Sequence, residues 1–163
     1  MTTCPNVLHI SQLQCDDFER AVLPMARHLV LSLTQPEHHC WHRAFVIAVE
    51  QWDESVGLSV AYHLQKLVRA LLHCRTEGLT FQDPLCIDDK HTVTRDEWLL
   101  IGMIHNMRRD QTPEARDCVY QITRGRMDPV VIRTALQFAT RFSCGVGGAI
   151  RQTAAAPVLR VVQ

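Results

Sequence analysis

The chain has 163 residues, of which 47% are hydrophobic and 21% charged, and its formal net charge is zero. That length supports one domain with a core that needs no disulfide or metal staple, and the composition excludes an intrinsically disordered chain. No apolar run nears the ~20 residues that span a bilayer, Leu29–Leu33 and Trp98–Ile104 being the longest candidates, so no membrane segment is expected.

The first residues, Met1-Thr2-Thr3-Cys4-Pro5-Asn6, offer neither a basic nor an apolar leader segment, and a cytoplasmic location is the expectation. Ser11-x-x-Gln14 fits a capping box and predicts a helix from Leu13 to about Leu33. Phe18, Val22, Met25, Leu29 and Leu33 recur along it at helical period. Pro24 lacks an amide donor and is expected to kink this helix or split it near Leu23. Thr34-Gln35-Pro36 marks a turn, with Pro36 opening a second helix over about 36–52. Trp41, Phe45, Ala48 and Trp52 form its apolar face. Asp53 or Ser55 starts a third helix, roughly 54–76, with Val60, Leu64, Leu67, Val68 and Leu71 on one side. Gln65, Lys66, Arg69 and His73 lie on the other, and Gly78 is the expected left-handed stop.

The segment from Gly78 to Val93 reads as a long loop, and loops of that length are often functional or mobile. Thr94-x-x-Glu97 is a second capping box, before a helix that is apolar around most of its axis and so belongs at the centre. Thr112-Pro113 and Asp128-Pro129 open a fifth and a sixth helix, separated by Gly125. Gly145-Val146-Gly147-Gly148 breaks the pattern, and the tail to Gln163 is expected to be loosely held. No segment alternates like a strand. The expected architecture is all-α: a single-domain helical bundle of five to seven helices over residues 1–144, with helices three and four at its centre.

The densest chemistry is His38-His39-Cys40-Trp41-His42. In a continuous helix over 36–52, His38 and His42 share one face while His39 and Cys40 point away. His28 and His42 lie at similar distances on either side of the predicted turn, so a helical hairpin would bring His28, His38 and His42 to one level. Three imidazoles with an open position suit a transition metal, and one axial histidine suffices for haem. No His-Glu-x-x-His, Glu-x-x-His or Cys-x-x-Cys-His motif accompanies them.

A second group, His73, Cys74, Cys86 and His91, matches no standard zinc spacing. The seven cysteines are odd in number and irregularly spaced, which favours free, mostly buried thiols over a disulfide framework. His105, on the apolar fourth helix, is the best lone general-base candidate, although a hydrogen-bonded core histidine explains it better. There is no Gly-x-Ser-x-Gly elbow, and the glycine cluster at 145–148 lacks a phosphate-loop ending.

Charge is polarised along the chain. Residues 1–107 carry eight Lys/Arg against thirteen Asp/Glu, and residues 108–163 carry nine Arg against four Asp/Glu. Arg outnumbers Lys fifteen to two, as a GC-rich, bacterial-like genome would produce. Arg108, Arg109, Arg124, Arg126 and Arg133 are the candidate contacts to an anionic partner. The leading expectation is therefore a non-catalytic regulatory or protein-interaction domain, with a protein partner or self-association between acidic and basic halves. The alternative is a metal- or haem-binding sensor or enzyme using His28, His38 and His42. A third is nucleic-acid binding through the five arginines, for which the neutral total charge is a weak start.

Overall fold

The computed structural model describes residues 8–144, which fold as an all-α bundle of six helices. Helix α1 spans Asp17–Thr34 and begins later than Ser11-x-x-Gln14 implied. Ser11 instead lies in a single 3-10 turn, Ile10–Gln12, capped by His9. The true cap is Asp16, which accepts from the Glu19 amide at 2.9 Å while Glu19 returns a bond to the Asp16 amide at 3.0 Å. Helix α1 runs unbroken through Pro24. Val22, Leu23, Met25 and Ala26 are all buried around the proline, and that packing holds the helix across the missing hydrogen bond.

The predicted helix over 36–52 is two elements. Pro36–His38 form a 3-10 turn, His39 adopts a left-handed conformation at φ 49°, and α2 begins only at Trp41 and ends at Trp52. Asp53, at φ 83°, turns the chain directly into α3, Glu54–Cys74, and its side chain accepts from the Val56 amide. Helix α3 stops before Gly78, with Arg75 already extended, although Gly78 does hold a positive φ of 70° further along. The expected inward row Val60, Leu64, Leu67, Val68 and Leu71 is fully buried.

The long loop contains a second 3-10 turn, Asp88–His91, and then the short strand β2, Thr92–Val93. This strand pairs antiparallel with β1, Leu8–His9, a ladder too short to show an alternation pattern. Helix α4, Arg95–Arg108, carries the Thr94/Glu97 capping box as expected. Helix α5, Thr112–Ile122, has Gln111 rather than Thr112 before its first residue. Gly125 separates it at φ 82° from α6, Pro129–Arg141, which Asp128 caps through the Val130 and Val131 amides. The segment from residue 145, including its glycine cluster, lies outside the described residues.

Helix α3 packs on α1, α2 and α6, and α4 packs on α1, α5 and α6. The centre expected for α3 and α4 is thus shared with α1, whose residues 25–30 are all buried. Gly57 of α3 meets the α2 backbone: a Cβ there would lie 2.6 Å from the Ala48 carbonyl carbon and 2.8 Å from the Val49 nitrogen.

Helix α4 is also the hub of the buried charge. At its N-terminal end Glu97 accepts from Arg27 Nε at 2.7 Å, and Asp96 pairs with Arg75 at 2.9 Å. At its C-terminal end Arg108 and Arg109 both reach Asp16 and Glu19, and His105 Nδ1 lies 2.8 Å from Glu19 Oε2. Acids at the helix start and bases at its end also suit the helix dipole. Arg108 further donates to the Phe142 carbonyl at 2.6 Å and lies over the Phe18 ring.

Burial would raise the Glu19 carboxyl, but bonds from Arg109, His105 and the Asp16 amide hold it below its ordinary value. Burial likewise opposes, and the Glu19 amide and Arg108 outweigh it to lower, the Asp16 carboxyl. Groups depressed in the folded state add stability that is complete above their unfolded values and lost as pH falls through the folded ones. The contribution of these two carboxylates should therefore hold steady from pH 7 to about 5, and the midpoint of thermal unfolding should drop steeply below about pH 4. A Glu19→Gln variant should lose part of that slope. A wild-type midpoint unchanged down to pH 3 would contradict this account.

Candidate functional site

The three sequence-predicted histidines do share a place. His28 on α1, His38 in the 3-10 turn and His42 at the start of α2 line one cleft of about 740 Å³. Its walls are α1, the turn leading into α2, and the loop around residues 83–90. The route differs from the one expected. Because the chain breaks at His39, His38 and His42 are not stacked on one helix, and His39 and Cys40 line the same cleft instead of pointing away.

Their chemistry within it is unequal. His38, His39 and His42 are exposed, whereas His28 is only 8% exposed. The His28 Nδ1 atom is buried without a hydrogen-bond partner. Burial and the nearby Arg43 charge lower the His28 pKa, so the imidazole is held neutral. Cys40 is buried and donates weakly to the His38 carbonyl, and burial pushes its thiol pKa up. Among the described residues, no three His, Cys, Asp or Glu side chains are grouped closely enough to hold a metal ion. The second predicted group disperses. Cys74 is buried against Leu71, His73 bonds the Arg69 carbonyl, Cys86 faces the cleft, and His91 stacks on His9. His105 is held by Glu19, the hydrogen-bonded explanation of that residue.

The five candidate arginines also separate. Arg108 and Arg109 are occupied by Asp16 and Glu19 inside the fold, so part of the charge polarity is neutralised internally. Arg124 pairs with Glu77 at 3.4 Å, and Arg126 donates to the Cys74 carbonyl at 2.6 Å. Only Arg133 joins a cationic surface, a shallow groove along the α3–α6 seam that it shares with His63, Lys66, Leu136 and Arg141. An adjoining depression continues from Lys66 to Arg69 and His73 on α3 and to Val130 on α6.

That seam mixes charge with exposed apolar surface. Tyr62, Val130 and Leu136 are 54%, 53% and 48% exposed. Lys66 lies 5.7 Å from the Tyr62 ring centroid, and Arg141 donates to the Ser59 hydroxyl at 2.8 Å. Among the described residues, Lys66, Arg69, Arg133 and Arg141 make no ion pair. Asp128 is the carboxylate lining the seam, and it is engaged in capping α6.

Sequence reading placed Lys66, Arg69 and His73 on an outward face but did not join them to Arg133 and Arg141. That pairing depends on α3 and α6 packing together, which no local pattern announces. Arg43 and Lys90 of the cleft were missed for the same reason, being brought together from α2 and the loop. No family model matches the chain, and neither a curated protein nor a solved structure shows significant similarity to it.

Proposed function

We propose that this chain is a non-catalytic helical interaction protein that docks an acidic, amphipathic segment of a partner along the α3–α6 seam. The observation that carries the reading is the four cations Lys66, Arg69, Arg133 and Arg141, which make no ion pair among the described residues, set beside exposed Val130 and Leu136 and, next to Lys66, Tyr62. An amphipathic helix laid in a groove supplies apolar anchors at helical spacing, and acidic flanks complement such a rim. The ionisable cluster of Asp16, Glu19, His105, Arg108 and Arg109, centred on buried Glu19 and Arg108, joins α1 to α4, a structural use of groups that elsewhere do chemistry.

The test is fluorescence anisotropy of a labelled synthetic amphipathic helix with leucines on one face and glutamates on the other. It should bind the full chain and weaken as salt rises. Lys66→Glu combined with Arg133→Glu should weaken it by about tenfold or more, which is ~1.4 kcal/mol. The same peptide with Gln for Glu should bind far less. Equal binding of both peptides, or an unchanged affinity in the charge-reversed variant, would sink the proposal. Stronger retention of a DNA oligonucleotide than of the acidic peptide would favour nucleic-acid binding instead.

A second reading, a metal- or haem-binding protein using His28, His38 and His42, has their shared cleft in its favour. The spread of the donors weighs against a metal held by all three. Elemental analysis and an absorption spectrum of protein purified without chelators test it directly.

A further inference from the structure

We infer that the cleft between α1, the start of α2 and the 83–90 loop binds a small organic anion with an apolar body. Its volume of about 740 Å³ falls within the range of roughly 300–1,000 Å³ typical of small-molecule sites. This site is separate from the α3–α6 seam and shares no lining residue with it.

Three features define the ligand. The first is charge. Four cationic side chains, Arg20, Arg27, Arg43 and Lys90, line the cleft beside a single carboxylate, Asp83. Arg20 pairs with Asp17, and Arg27 is committed to Glu97. Asp83 accepts from the Leu85 amide at 2.8 Å. Arg43 and Lys90 make no side-chain hydrogen bond or ion pair among the described residues, and they stand ready for an anionic group.

The second feature is apolar surface. Leu23, Ile47, Leu85 and Ile87 line the same cleft, and Leu85 and Ile87 are 61% and 74% exposed. Apolar side chains left this open on a loop lose the benefit of burial until something covers them. The third is His28. A neutral imidazole whose Nδ1 is buried and unpartnered costs stability, and such orphans call for an explanation in a native fold. His28 also lines the cleft, so a ligand seated there packs against its ring.

The probe is 8-anilinonaphthalene-1-sulfonate, an anion with an apolar aromatic body that fluoresces when shielded from water. Titrated into the natively folded full chain, it should show saturable enhancement. Arg43→Ala should weaken it by about fivefold to tenfold, and Ile47→Trp, which fills the cleft, should abolish it. His28→Leu carries the decisive pair of readouts. Removing the orphan should raise the urea midpoint of unfolding while weakening the dye, a combination that a purely structural histidine would not produce.

A parallel titration with decanoate, an aliphatic carboxylate, should displace the dye if the site accepts flexible chains. Failure of decanoate alongside tight dye binding would narrow the class to flat aromatic anions. No enhancement, or enhancement unaffected by Arg43→Ala and Ile47→Trp, would overturn the inference. So would a dye signal lost only in the Lys66→Glu/Arg133→Glu variant, since that would move the binding to the seam.

Discussion

Glu19→Gln should destabilise the fold by about 3 kcal/mol or more, near the range of 3–5 kcal/mol seen when one partner of a buried ion pair is removed. Glu19 is fully buried, and its two oxygens serve Arg108, Arg109, His105 and the Asp16 amide. Glutamine keeps the size but supplies no charge, and one of its terminal atoms is a donor facing donors. Arg108, with a side chain only 2% exposed, would then depend on Asp16, 34% exposed, for its countercharge. Urea denaturation measures the loss. A cycle with Arg108→Met separates repulsion from lost packing: if the pair acts as one unit, the double variant should be markedly less destabilised than the sum of the singles. A loss below about 1 kcal/mol would mean that water reaches the cluster and the ion pairs are effectively surface ones.

Gly57→Ala should cost nearly as much, about 3 kcal/mol, the upper part of the range for overpacking. The added carbon would collide with backbone atoms of Ala48 and Val49, not with a side chain able to rotate away. Ala44 and Ala48 on α2 are themselves fully buried and small, so the two helices meet almost backbone to backbone. The only relief is to move α2 away from α3, and that opens a gap along the whole contact. Gly78→Ala is the control. Nothing lies within 4 Å of its added carbon, but its φ of 70° is unfavourable for alanine, so about 1 kcal/mol is expected. Gly57 has a helical backbone, which favours alanine, so equal effects at the two glycines would show that α2 shifts away from the added carbon at little cost.

The parts legible in the sequence are those whose causes are local. The Thr94/Glu97 box, the Asp128-Pro129 start and the Asp53 restart each place a capping oxygen beside the amides it satisfies. The inward face of α3 followed from period alone. Asp16-x-x-Glu19 has the same local form as Ser11-x-x-Gln14, and what sets it apart is its bonding to the distant Arg108 and Arg109. The helix break at His39 was hidden because a histidine, not a glycine, takes the left-handed conformation. The cleft was half legible: its histidines are clustered in sequence, whereas Arg43, Lys90 and Leu85 reach it only through tertiary packing.

The placement of charge on α4 has a consequence for how the chain emerges from a ribosome. Asp16, Glu19, Arg27 and Arg75 all find their partners on α4, which follows them in sequence. Until α4 has been made, the growing N-terminal segment holds charged groups that must remain hydrated. Helices α1, α2 and α3 can associate loosely during synthesis, yet the core around α1 cannot dry out prematurely. One helix thus closes both ends of the charge network, while the aromatic side of α1 waits longer still, for Phe138 and Phe142.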